Sequence, residues 1–261
     1  MTNLQKRFLS SIGFIFLFIP IYFLKEKAFI GLGILFCIFI FYEFMHMINV
    51  RKFAQKSIFF SIFCILNSLL IFTSYNVAIL GKFLSLFVIL NILIEISLKT
   101  ILFQKQAKLM RLIKCFFFSS LPAIIFMLCL SLKDNLHLIY LMCFLIISTD
   151  IFGFFFGRKF GKNQLSKLSP KKTWEGFILS LIPSLAIIFI FNQIYPLPLS
   201  YFLIFACVPV TSLLGDLHES LIKRKFNIKD SSQIIPGHGG FYDRFDGFIL
   251  TLPFIYLFIS L

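Results

Sequence analysis

GFILSLIPSLAIIFIFNQIYPLP (176–198) runs for 23 residues without an Asp, Glu, Lys or Arg. A helix of about 17–25 apolar residues matches the hydrocarbon core of a bilayer, and this stretch is not alone. Similar runs cover 8–24, 28–50, 57–75, 77–98, 115–132, 136–157, 199–221 and 247–261. The chain is 59% hydrophobic and holds 39 Phe in 261 residues, more apolar surface than a soluble domain can hide. The pattern predicts an all-α polytopic membrane protein with nine transmembrane helices. The last run is short at 15 residues, and suits little tilt or a locally thinned bilayer. The run 199–221 ends in Asp216 and Glu219, so its helix is expected to continue past the hydrocarbon.

Lys and Arg set the orientation. With nine spans, 21 of the 25 basic residues gather on one side, among them Lys6, Arg7, Arg51, Lys99, Arg158, Lys172, Lys223 and Arg244. Only Lys25, Lys27 and Lys133 fall opposite, while Lys82 lies inside a span and can snorkel outward. The positive-inside rule then places the N-terminus in the cytoplasm and the C-terminus outside. The net charge of +14 is therefore mostly topology, with anionic lipid as its partner and no call for nucleic acid. The first span lacks a small-residue cleavage site and reads as a retained anchor. The six cysteines sit in apolar runs without a CxxC spacing, and read as packing residues.

The two halves differ. Residues 1–140 read as a scaffold of transmembrane helices joined by basic loops. Residues 141–261 read as the catalytic region, with two cytoplasmic polar segments, 158–175 and 222–246. Of eleven acids, seven lie from Asp150 onward, all at or near the predicted cytoplasmic face. Carboxylates at membrane depth are costly and point to function, and Glu43 and Glu95 share that placement.

Three constellations carry chemistry. In GDLHESLIKRK (215–225), Asp216 and Glu219 are three apart and share a helix face, with Ser220 and Lys223 near. Such a pair suits Mg²⁺, which takes one or two carboxylates and completes its shell with water and phosphate. In NIKDSSQIIPGHGGFYDRFDGF (227–248), Asp243 and Asp246 repeat that spacing around Arg244. The Pro236 turn with its glycines can bring backbone N–H groups to an anion, and His238 can donate to a phosphate. In GRKFGKNQLSKLSPKKTWEG (157–176), Ser169-Pro170 reads as a helix N-cap followed by Pro at the first helical position. Lys171 and Lys172 would then occupy the first turn, where the helix dipole disfavours cations, so an anionic ligand is the better motive. Each piece also has a plainer reading: a juxtamembrane acid pair, an interfacial turn with an acidic cap, a topological basic loop, and Trp174 as an interface anchor. Together they indicate metal-dependent phosphoryl or nucleotidyl transfer to a lipid-borne acceptor, with the nucleotide left open.

SLIKRKFNIKDSSQIIPGHGGFYDRFD (220–246) resembles the signature of phosphatidate cytidylyltransferases, also called CDP-diacylglycerol synthases. The elements in register are Ser220, Lys223-Arg224, Lys229-Asp230, Ser232, Pro236, His238-Gly239-Gly240 and Asp243-Arg244-x-Asp246, flanked by Gly215-Asp216-Leu-x-Glu219 and by SPKKTWEG. The resemblance covers about 148–248. The departures are His218, where the family usually has an aromatic or small residue, Phe154 near a usual Tyr, and Gly247 where a Ser is common.

The resemblance implies that CTP and phosphatidate give CDP-diacylglycerol and pyrophosphate, for phospholipid biosynthesis at the cytoplasmic (inner) membrane. It implies Mg²⁺ at Asp216 and Asp243 with Glu219 and Asp246 nearby, and allows a second, monovalent cation. Asp216, Asp243, Asp246, Lys223 and Arg244 would be catalytic. Lys171, Lys172, Arg224, Lys229, Asp230, His238, Gly239 and Gly240 would hold CTP and lipid phosphates. The partners expected are CTP, phosphatidate and membrane lipid, with a homodimer allowed. A CTP-dependent polyprenol or phytol kinase would share the basic, acidic face but act on an alcohol. The DG-x2-AR pattern of CDP-alcohol phosphotransferases is not found, and a transporter would spread its acids across the membrane.

Overall fold

The computed structural model describes residues 39, 42–43, 82, 85–86, 88–90, 92, 136–225, 228, 230–232, 240 and 242–259. Among the described residues from Leu136 onward, five α-helices follow in order: α1 (Leu136–Phe160), α2 (Trp174–Ile194), α3 (Leu199–Ala206), α4 (Val208–Lys225) and α5 (Asp246–Ile259). A short 3₁₀ turn, Tyr242–Arg244, precedes α5. No strand occurs among the described residues; a single isolated bridge joins Gln164 to Thr173. The chain divides into two compact units. Of the described residues, one holds 39, 42–43, 223–225, 228, 230–232, 240 and 242–245, and the other holds 82, 85–86, 88–90, 92, 136–222 and 246–259. The remaining expected spans and Glu95 lie outside the described residues.

Among the described residues, three helical stretches are long and apolar enough to cross a membrane: His137–Phe160, Trp174–Ile194 and Leu199–Arg224. This is the helical, membrane-spanning character that the composition predicts. In α1, Leu138, Leu141, Met142, Leu145 and Thr149 are buried, while Tyr140, Phe144, Ile147, Ile151 and Phe155 are exposed. The buried set recurs at helical spacing, and the exposed set is just as apolar, as befits a helix with lipid on one side. Arg158 and Lys159 occupy its last turn, where cations complement the helix dipole.

The start of α2 corrects the Ser169-Pro170 expectation. The N-cap is Thr173, in extended backbone, and its side-chain oxygen accepts from the Gly176 N–H at 3.2 Å. Ser169 instead closes a turn, its carbonyl accepting from the Lys172 N–H at 3.1 Å. Glu175 then occupies the first turn, where a carboxylate is favourable. Lys172 therefore precedes the helix, and the dipole penalty argued for it does not arise.

The run 199–221 forms two helices with a break at Cys207. The cause is Pro209, which has no N–H to give the Phe205 carbonyl and whose ring crowds that oxygen. The chain restarts at once, with Val210 and Thr211 both donating to the Cys207 carbonyl. As expected, α4 continues past 221 to Lys225.

Within the second unit, α1 lies along α2, and α5 touches α1 and α3. Glycine brings α4 and α5 into close approach. A Cβ on Gly215 would collide with the Asp246 carbonyl, and one on Gly247 would come within 2.7 Å of both Ile146 Cγ2 and Ser212 Oγ. Nearby, Thr211 and Thr251 share a hydroxyl hydrogen bond of 3.0 Å. The α5 helix has 14 residues, about 21 Å at the usual rise.

Gly215→Ala is expected to lower stability by about 1–3 kcal/mol through overpacking. Gly153→Ala, whose new Cβ meets nothing within 4 Å, should be neutral or stabilising by up to about 1 kcal/mol. Thermal unfolding of both variants in detergent checks the contrast. Equal midpoints would show that α4 and α5 do not need the glycine.

Candidate functional site

In the second unit, α4 presents Asp216 and Glu219 one turn apart, and α5 begins with Asp246. One oxygen from each of the three lies within 4.8 Å of the others. Glu219 is wholly buried, and Asp216 and Asp246 are half-buried. The spacing of Asp216 and Glu219 on one face is thus realised, and Asp246 joins them.

The polar segment 161–173 delivers a cation to this group. Asn163 and Lys162 offer their backbone N–H groups to the Glu175 carboxylate, and Asn163 adds its side-chain amide at 2.8 Å. Trp174 N–H donates to the Asn163 carbonyl and Leu165 N–H to the Lys172 carbonyl. The segment folds back on itself, and Lys172 emerges at its end. Its ammonium lies 3.0 Å from Asp216 Oδ2 and 3.4 Å from Asp150 Oδ1. Burial alone would lower the Lys172 pKa, but the Asp216 and Asp150 carboxylates outweigh it and raise it above the ordinary lysine value. Lys171 is exposed.

Were all three carboxylates ionised, each pair at this spacing would repel by about 3–4 kcal/mol at a protein-like dielectric. A small hard cation with oxygen ligands would offset that repulsion, and the donor set fits Mg²⁺.

In the first unit, Asp243 is the centre. Its Oδ1 meets the Lys223 ammonium at 2.9 Å, and its Oδ2 accepts from the Ser231 N–H at 3.0 Å and the Gly240 N–H at 2.9 Å. The Gly240 N–H, expected to face an anion, is thus directed at a carboxylate of the chain itself. Arg224 is exposed and donates to the Ile228 carbonyl at 3.1 Å, closing the end of α4. Asp230 and Arg244 are exposed. Lys229, Pro236, His238 and Gly239 lie outside the described residues.

Sequence reasoning did not find the partners of Glu43, Asp150 or Glu175. Glu43 is fully buried and accepts from Ser231 Oγ, Ser232 Oγ and the Tyr242 N–H. An acid inside an apolar run was the available signal, and it named the residue without its partners. The departure at His218 places a wholly buried imidazole on α4.

The chain matches the cytidylyltransferase family over residues 5–261, and it belongs to that family. It is 42% identical over 131 residues to a phosphatidate cytidylyltransferase of Bacillus subtilis (strain 168), covering 49% of each chain. A phosphatidate cytidylyltransferase of Rickettsia bellii (strain RML369-C) is 43% identical over 137 residues, 47% of this chain and 57% of the relative. The chloroplastic phosphatidate cytidylyltransferase 4 of Arabidopsis thaliana is 44% identical over 118 residues, 44% of this chain and 30% of the relative. The chain thus spans about half the length, or less, of these curated relatives in the matched region.

Lys172→Met removes the ammonium that Asp216 and Asp150 share. It is expected to cost on the order of 1–2 kcal/mol in metal-free buffer and to enlarge the stabilisation given by Mg²⁺. Thermal midpoints across a Mg²⁺ titration measure both effects. An identical Mg²⁺ response in wild type and variant would show that Lys172 does not offset the carboxylate charge.

Proposed function

We propose that the chain transfers the cytidylyl group of CTP to phosphatidate, giving CDP-diacylglycerol and pyrophosphate, as a nucleotidyltransferase of phospholipid biosynthesis. The observation that carries this reading is the group of three carboxylates, Asp216, Glu219 and Asp246, within 4.8 Å of one another in a chain of the cytidylyltransferase family. Relatives at 42–43% identity bear the name of that activity.

In the proposed reaction an anionic oxygen of phosphatidate attacks the α-phosphorus of CTP. The bond from that phosphorus to the bridging oxygen of the β-phosphate breaks, and pyrophosphate leaves with the electron pair. The attacking oxygen is ionised at neutral pH, so no strong general base is needed. The difficulty is holding two anions together in line.

Asp216, Glu219 and Asp246 would hold Mg²⁺, which when bound offsets charge on the triphosphate and on the departing pyrophosphate. Asp243, with its oxygens already given to Lys223 and two backbone N–H groups, orients that lysine for a phosphate. Arg244, Arg224, Lys229 and Lys171 would supply further cations, and His238 and Gly239 further hydrogen-bond donors, for the CTP and lipid phosphates. Lys172 exchanges part of its contact with Asp216 for a substrate phosphate. The basic residues of 158–175 and 222–246 support a cytoplasmic placement of both segments, at the inner membrane.

The test is conversion of radiolabelled CTP and phosphatidate by purified protein in mixed micelles, with and without Mg²⁺. Wild type is expected to turn over only with the metal, and Asp246→Asn to lose on the order of 100-fold in kcat/KM. No turnover in micelles shown to be competent would end the cytidylyltransferase reading. Full activity of Asp246→Asn would keep the reaction and remove Asp246 from the metal set.

A further inference from the structure

Glu43 has no solvent exposure, and a bare carboxylate in such a place is costly. Its compensation comes from residues nearly two hundred positions later, in the same compact unit. Oε2 accepts from the Tyr242 N–H at 2.8 Å and from Ser231 Oγ at 3.2 Å, and Oε1 accepts from Ser232 Oγ at 2.5 Å. Two carboxylates share these donors. Ser231 gives its hydroxyl to Glu43 and its backbone N–H to Asp243; Gly240 gives its N–H to Asp243, and Tyr242 gives its own to Glu43. Residues on both sides of segment 233–239 in the sequence are therefore tied to the same pair of acids. The fit is tight. A Cβ on Gly240 would lie 2.6 Å from both Glu43 oxygens and would overlap Ser231 Oγ.

We propose that Glu43 is a positioning residue. It holds Ser231, Ser232 and Tyr242, and through Ser231 a donor that fixes Asp243, so that the Asp243–Lys223 pair is set to receive a phosphate group of a substrate. Glu43 itself touches no substrate. The inference rests on the reaction proposed above, and the phosphate belongs either to CTP or to the lipid.

Two substitutions separate hydrogen bonding from charge. Glu43→Gln keeps an oxygen for Tyr242 and Ser231, and its amide donates to the Ser232 hydroxyl, which accepts as readily as it donates. Glu43→Leu removes the carboxylate that accepts from all three donors. Hydrogen–deuterium exchange of the peptide spanning 228–245 is expected to quicken in Glu43→Leu and to stay at the wild-type rate in Glu43→Gln. This readout does not depend on turnover. In the mixed-micelle assay, Glu43→Leu should raise KM for CTP or for phosphatidate about tenfold or more, with a smaller change in kcat, and Glu43→Gln should restore it. Whichever substrate shows the change owns the phosphate.

Unchanged KM for both substrates in Glu43→Leu would overturn the proposal. So would a Glu43→Gln variant as impaired as Glu43→Leu, because the negative charge would then matter rather than the anchoring. Should Glu43→Leu not be recovered folded, Ser231→Ala/Ser232→Ala removes two donors and leaves Glu43 in place. That variant must raise the same KM, and a wild-type value would overturn the proposal equally. A wild-type protein without turnover would instead sink the reaction reading. The exchange rates alone would then judge the anchoring, and equal rates in all variants would overturn it.

Discussion

Electrostatic repulsion among carboxylates is the constraint on which the second unit depends. Asp216, Glu219 and Asp246 are brought within 4.8 Å because α4 and α5 can approach where neither Gly215 nor Gly247 carries a Cβ. Backbone contact of this kind is a packing device common where helices cross inside a membrane. Here its consequence is chemical, since the same approach that packs the helices concentrates negative charge at the start of α5. Lys172 relieves part of it, and the segment that presents Lys172 is held by Glu175 and capped by Thr173. Packing, capping and charge are thus one problem with one solution.

The first unit handles buried charge differently. Glu43 accepts from a backbone N–H and two hydroxyls. Asp243 uses an ammonium and two backbone N–H groups. Hydrogen bonds to an ionised oxygen are shorter and stronger than neutral ones, so each carboxylate organises several segments of backbone at once. That accounts for why a polar, glycine-rich stretch with little regular structure has definite geometry at Ser231, Gly240 and Tyr242.

The sequence was most legible where one element decides the answer. Apolar length located α1 to within three residues of its end and α2 to within four, because membrane helices must satisfy their own backbone. The Asp216–Glu219 pair followed from helix periodicity alone. Prediction failed where two local choices were chemically similar. Ser169 and Thr173 both carry a capping hydroxyl, and only Thr173 has Glu175 and Gly176 placed to complete the first turn. Pro209 was visible, but an apolar run conceals a break that costs no hydrophobicity. The partners of Lys172 and Glu43 were beyond reach, since separations of 22 to 199 residues leave no periodic trace.

The contrast between the two ways of burying charge bears on where a cation acts. Glu43 and Asp243 have their oxygens directed at donors from the chain, and adding a metal there would displace hydrogen bonds already made. Asp216, Glu219 and Asp246 instead converge within 4.8 Å of one another, with the Lys172 ammonium at Asp216. A divalent ion among those three would join oxygens that already face one another, which is why the proposed reaction places Mg²⁺ there. Asp243, also expected to bind the metal, here pairs with the Lys223 ammonium and accepts from the Ser231 and Gly240 N–H groups, so it ties one lysine to two segments of backbone.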